Sequence, residues 1–378
     1  MSEPQFSPGL AGVVAGKSGV GLVNGTDGIL LYRGYRVEDL AEHCTFEEVA
    51  HLLLKGKLPN REELSAFDAE LKARRALPAG ILALLRTLPT KTHPMAALQS
   101  AVAALSGFYP APDAADRAAS WEGILRLTAS MPTIVAAFHR IRQGKDVVDP
   151  DLTQGMAGDF LTMLNGEKPT DKAARLFDVC LVLHAEHGFN ASTFTGRVVG
   201  SSLADIYASM SAAVGSLSGP LHGGANEEVL VQLKEIPNAE AAPAWFDHMI
   251  ETKQKVMGLG HRVYKVKDPR AGILQRMASD LFSTEGSTPL YDIAHAIEQR
   301  AAVKVGPKGV WPNVDFYSGL VYQKLGLTVD LFTPIFAIAR IAGWSAHWME
   351  QMEDNRIYRP DCIYTGPNDL TVPAIDAR

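Results

Sequence analysis

The sequence predicts a mainly α-helical (all-α) protein with a small β-hairpin near its N-terminus. Apolar residues recur at helical spacing behind capping signals through most of the chain, while alternating stretches are scarce after residue 35. Two glycine- and proline-rich breaks, residues 215–224 (GSLSGPLHGG) and 304–315 (KVGPKGVWPNVD), interrupt the helical texture.

In chain order, residues 19–35 carry short apolar runs around Asn24-Gly25 and Asp27-Gly28, the pattern of a small hairpin. Just before it, Ala15-Gly16-Lys17-Ser18 resembles part of a phosphate-binding loop. The required earlier glycine is Ala11, and no strand precedes or helix follows, so the match is set aside. Thr45 with Glu48 forms a capping box opening a helix to Leu54, which Gly56 and Pro59 stop. Asn60 with Glu63 opens the next helix, with Leu64, Phe67 and Leu71 on one face. Helical patterns follow at residues 95–104, at 121–138 with Pro132 a candidate kink, and at 173–184. The two breaks suggest a second helical domain, residues 219–324, inserted into a larger one made of residues 1–218 and 325–378.

Composition narrows the function classes. Apolar residues make up 47% and charged ones 21%, with a net charge of −6. That balance argues against a general nucleic-acid or acidic-membrane surface. Three widely spaced cysteines, Cys44, Cys180 and Cys362, fit a reducing compartment. The start MSEPQFSPGL has neither a basic nor an apolar leader segment, and residues 331–348 contain Pro334, Arg340 and His347, which a membrane span tolerates poorly. A cytoplasmic protein is expected.

Against this acidic background, residues 257–270 (MGLGHRVYKVKDPR) stand out. His261 lies between Gly260 and Arg262, with Lys265, Lys267 and Arg270 after it and Lys255 just before the stretch. On the residues alone this is either a solvated basic loop or an anion site that a ligand approaches closely past glycine. Further constellations sit at turns and helix edges. His187 follows His184 at helical spacing, but no further His or carboxylate completes a zinc pattern, so no metal is expected. His222 is either an incidental residue of a glycine-rich turn or an imidazole that amides at a helix start keep neutral. Asp315 is either a helix cap or a general base. Arg340, inside the apolar run PIFAIARIAGW, needs an anionic partner, either an internal carboxylate or a carboxylate ligand. Arg359 before Pro360 is a less conspicuous case. Imidazoles, a carboxylate and arginines together suit proton transfer at carbon on a multiply carboxylated substrate.

The segments EHGFNAST, GPLHGGANEEV, MGLGHRVYKVKDPRA, PNVDFYSG and ARIAGW…HWMEQ…RP…YTG, with the early His93-Pro94-Met95, resemble the citrate synthase family in the same order and at similar separations. The length resembles the family's compact dimeric branch. The resemblance implies a two-domain citrate-synthase-like fold, a homodimer, and a small domain that closes over the substrates. It implies that His222 hydrogen-bonds the thioester carbonyl of acetyl-CoA, that Asp315 takes the methyl proton, and that His261 protonates the ketone oxygen of oxaloacetate. It further assigns His187, Arg270, Arg340 and Arg359 to oxaloacetate, Arg359 in the partner subunit's site. Lys255, Leu259, Arg262, Lys265, Lys267 and Lys308 are candidates for coenzyme A, a co-substrate; no permanently bound cofactor is expected. The same machinery serves 2-methylcitrate synthesis from propionyl-CoA, and a non-catalytic CoA- or dicarboxylate-binding protein is the alternative of another class.

Overall fold

The computed structural model describes residues 6–109, 114, 116–260 and 264–378. The N-terminal hairpin is present and carries one strand more than expected. Strands β1 (Gly21–Asn24), β2 (Ile29–Tyr32) and β3 (Tyr35–Arg36) form an antiparallel meander. Asn24 shapes the first turn by accepting from the amides of Thr26 and Asp27 through its side-chain oxygen. Leu30 and Tyr32 face the core, whereas Leu22 faces solvent.

The rest is helical. The first half contains α1 (Val37–His43), α2 (Phe46–Lys55), α3 (Arg61–Lys72), α4 (Ala79–Thr87), α5 (Pro94–Phe108), α6 (Arg117–Arg142), α7 (Met156–Asn165) and α8 (Asp171–His184). The second contains α9 (Ala191–Ser201), α10 (Ile206–Leu217), α11 (Ala225–Lys234), α12 (Ala242–Glu251), α13 (Pro269–Glu285), α14 (Pro289–Lys304), α15 (Val314–Lys324) and α16 (Phe332–Glu353). Both predicted capping boxes form, at α2 and at α3. On α3, Phe67 and Leu71 are buried while Leu64 is only partly covered. Pro132 does not end α6; the helix runs through it, because burial of residues on all sides holds the segment together.

The organising element is α16. From Phe332 to Trp348 it is buried all round, and it packs against α2, α5, α6, α8, α9, α10 and α11. Burying each Ile, Phe or Leu side chain is worth about 1.5–3 kcal/mol, so this helix anchors the core. The segment Val329–Glu353 is long and apolar enough to cross a membrane, but 89% of its most apolar window lies inside the protein. The two sequence breaks coincide with helix junctions, overlapping the helix ends by one to three residues. One separates α10 from α11; the other separates α14 from α15 and holds the 3-10 turn Gly306–Lys308. Helices α11 to α15 pack largely on one another, α12 on α14 and α13 on α15.

Candidate active site

The end of α8 and the start of α9 frame one wall of the site. Asn190 caps α9 by accepting from the Thr193 amide, which leaves the first amides of the helix pointing outward. There the Ser192 amide donates to His222 Nε2 at 3.3 Å, and the Ser192 hydroxyl lies 2.7 Å from the same nitrogen. Trp344 Nε1 donates to that hydroxyl at 3.0 Å. With an amide donating to it, Nε2 is an acceptor, so the ring proton sits on Nδ1. Burial, then the charge of Arg340, pushes the His222 pKa down to about 4. His222 is therefore a neutral imidazole with one N–H to offer. The fixing amide belongs to α9, not to α11, the helix that follows His222 in sequence.

Asp315 enters from the first turn of α15. Its own amide donates to Asn313 Oδ1 at 3.0 Å, so Asn313, not Asp315, is the helix cap. The Asp315 carboxylate is thereby released from capping, and its Oδ1 has no hydrogen-bond partner. Burial raises its pKa to about 6; Asp268 adds to the rise, while Arg270 and Arg340 oppose it. A buried carboxylate with an unused oxygen and a pKa near neutrality is equipped to accept a proton.

Two buried guanidinium groups provide the positive field. Arg340 Nε donates to the His184 carbonyl at 2.6 Å, and its Nη2 has no partner. Its plane lies over the Phe336 ring, 4.6 Å from the centroid. Burial pulls its pKa down to about 10. No Asp or Glu lies within ion-pair reach of Arg340 among the described residues; Glu186, buried nearby, supports its charge at longer range. Arg270 differs. Asp268 caps α13 through the Arg270 amide and also grips the guanidinium, with contacts of 3.1 Å to Nε and 2.8 Å to Nη2. Burial works against the Arg270 charge, but Asp268 more than offsets it and holds the pKa above the usual arginine range. His187 completes this wall, with Nε2 3.2 Å from the Tyr264 hydroxyl.

Behind His187 lies a fully buried carboxylate–imidazole pair. Glu186 Oε1 accepts from the Gly188 amide and sits 2.9 Å from His347 Nε2. Burial opposes ionisation of both, yet each holds the other charged: Glu186 falls below and His347 rises above its usual value. The His184 carbonyl takes Arg340, the Ala185 carbonyl takes the Gly343 amide at 3.2 Å, and Glu186 takes His347. Residues 184–186 are thus fastened along one face of α16, which fixes His187 relative to Arg340.

The structure brings His222, Asp315, Arg270 and Arg340, far apart in sequence, into one electrostatic neighbourhood, and His187 borders it through Tyr264, which feels the Arg270 charge. His261 and Arg262 lie outside the described residues. Arg359 is exposed in the tail after α16 and does not join the cluster within one chain. Among the candidates for coenzyme A, Lys255, Lys265 and Lys308 are exposed, and Leu259 bridges Pro312. Lys267 is engaged internally, 2.5 Å from Gln275 and 2.7 Å from Glu298. No group of His, Cys, Asp and Glu suited to a metal ion occurs among the described residues. Sequence reasoning assigned no role to Ser192, Tyr264, Asp268 or the Glu186–His347 pair. Only Asp268 carried a local signal, an Asp before a Pro at the first helical position.

A neutral N–H donor, an unpaired carboxylate and two enclosed guanidinium groups are the groups that proton transfer next to an anionic substrate would require. Comparison with known proteins makes the class specific. Residues 9–361 match the family described as citrate synthase, C-terminal domain. A citrate synthase from Synechocystis sp. is 51% identical over 97% of this chain and 92% of its own length. A 2-methylcitrate synthase 1 from Corynebacterium glutamicum is 38% identical over the whole of both chains. The solved ternary complex of carboxymethyl coenzyme A and oxaloacetate with citrate synthase from Thermoplasma acidophilum superposes with a TM-score of 0.94 at 32% identity, covering 99% of this chain and 100% of that one. The chain belongs to the citrate synthase family.

Proposed function

We propose that this enzyme condenses acetyl-CoA with oxaloacetate and hydrolyses the resulting thioester to citrate and CoA. The observation that carries this reading is the pairing of a neutral donor imidazole with an unsatisfied carboxylate beside buried guanidinium groups. Asp315 takes a proton from the acetyl methyl group. A carboxylate is too weak a base to hold a free carbanion, so the charge developing on the thioester oxygen must be met at once. His222 Nδ1–H meets it, and a placed donor of this kind is worth about 3–4 kcal/mol in other enzymes. Because His222 is neutral, it donates without adding a charge for Arg340 to repel. The enol carbon then attacks the ketone of oxaloacetate, whose oxygen His261 protonates. His187, Arg270 and Arg340 hold the oxaloacetate carboxylates; the unpartnered Nη2 of Arg340 supports that role. Lys255, Arg262, Lys265 and Lys308 stand for the CoA phosphates, with Leu259 alongside. Lys267 joins them only by leaving Glu298.

Residues 219–324 act as a small domain closing on residues 1–218 and 325–378, excluding water until the carbon–carbon bond has formed. The mutual packing of α11 to α15 supports that division. Arg359 completes the site of a second copy in a homodimer. Its exposure supports this, as do the exposed Ile357, Ile363, Tyr364, Leu370 and Val372 in the same tail. The two buried free cysteines, Cys44 and Cys180, suit the proposed cytoplasmic setting.

Propionyl-CoA adds one methylene, worth only about 1–3 kcal/mol of discrimination in an apolar pocket. Steady-state kcat/KM with both acyl-CoAs and oxaloacetate therefore tests the assignment. Acetyl-CoA is expected to win; a strong preference for propionyl-CoA would make the enzyme a 2-methylcitrate synthase.

A further inference from the structure

The Asp315 carboxylate makes no hydrogen bond through Oδ1, so its aim is inherited from the backbone that carries it. That backbone is set by two stretches far apart in sequence. The Gly260 amide donates to the Trp311 carbonyl at 2.8 Å, the Asn313 amide donates to the Gly258 carbonyl at 2.9 Å, and Leu259 bridges Pro312 in antiparallel sense. Gly258 and Gly260 both take left-handed conformations, φ 77° and 80°, which other residues rarely adopt. A Cβ on Gly258 would also lie 2.9 Å from the Phe316 ring, just after Asp315.

Asn313 joins the two stretches a second time, through its side chain. Its Oδ1 accepts from the Asp315 amide at 3.0 Å, and its Nδ2 donates to the Gly260 carbonyl at 3.0 Å. We infer that Asn313 is a positioning residue for proton abstraction: one amide clamps the first turn of α15, and with it the Asp315 carboxylate, to the segment Gly258–Gly260. The inference rests on the reading of Asp315 as the base. An N-cap needs only an acceptor, so serine or aspartate would serve equally well. The donor half of the amide, spent on Gly260, is what capping leaves unexplained. Aspartate would oppose an oxygen to the Gly260 carbonyl, and serine has no second polar atom.

The test is Asn313→Ser, which keeps the cap and removes the tether. Thiol release from acetyl-CoA with oxaloacetate is followed alongside oxaloacetate binding by calorimetry, thermal unfolding, and exchange of the acetyl methyl protons in D2O with a four-carbon dicarboxylate lacking the ketone. A misplaced reacting group costs up to about 100-fold, so kcat and the exchange rate are expected to fall together by roughly 10- to 100-fold. Oxaloacetate affinity is expected to stay within about twofold and the Tm to hold, since tether loss acts on orientation, not on the arginines. An unchanged kcat overturns the inference and leaves Asn313 a cap. A parallel loss of kcat, oxaloacetate affinity and Tm overturns it in favour of a purely structural role. The wild-type enzyme, assayed with acetyl-CoA and with propionyl-CoA, separates the two readings: absent thiol release with both refutes Asp315 as base, and this inference with it.

Discussion

Arg270 and Arg340 are both enclosed, at 2% and 1% exposure, yet they carry their charges differently. Arg270 is gripped by Asp268 through two contacts and enters the site as half of a nearly neutral pair. Arg340 is held by one backbone carbonyl and a ring face, and its charge is supported only at longer range, by Glu186 first. A buried charge without a partner is costly. Arg340 acts on both titrating groups of the site. It lowers the pKa of His222, and it opposes the burial-driven rise of Asp315. Arg270 opposes the rise of Asp315 more strongly, while Arg340 is the charge that acts on His222.

The contrast can be broken most forcefully at Arg340. Arg340→Gln removes its charge, and losing a buried partner of a carboxylate costs about 2–5 kcal/mol. The oxaloacetate KM is expected to rise on the order of 100-fold or more. Without the nearby cation, both imidazolium and protonated carboxylate become easier to form, so His222 and Asp315 both titrate at higher pH. Activity should then fail at a higher pH on the acid side, measured as kcat/KM for acetyl-CoA. A KM change below about fivefold would assign Arg340 to the core, not to the ligand.

A smaller effect sharpens the same comparison from the other arginine. Asp268 raises the pKa of Asp315. Asp268→Asn removes a negative neighbour, so the Asp315 carboxylate ionises more easily and its pKa falls from about 6. The acid limb of the kcat/KM profile should move to lower pH, opposite to the shift in Arg340→Gln. A shift in the same direction in both variants would show that the two arginines do not differ in the way described.

What the sequence revealed follows the range of the interactions. The capping boxes at Thr45 and Asn60 were legible because cap and acceptor lie within one turn. The candidate site residues stood out by type and by their settings at turns and helix edges, and the order of the motifs supplied the family. Strand β3 was missed because it is only Tyr35–Arg36, too short for alternation to register. The partner of Arg340 could not be read, because a backbone carbonyl at His184 leaves no compositional trace. The Ser192–His222 and Glu186–His347 contacts join positions 30 and 161 residues apart, which local pattern cannot connect. Asn313 lies inside the second glycine- and proline-rich break, and no local pattern connects its side chain to Gly260, 53 residues earlier.

The central claim is that Asp315 is the base and that the arginine cluster binds oxaloacetate independently of it. Asp315→Ala tests this most directly, with thiol release from acetyl-CoA measured beside calorimetric binding of oxaloacetate. The account predicts that thiol release is abolished while oxaloacetate still binds. Near-normal turnover in that variant would contradict it.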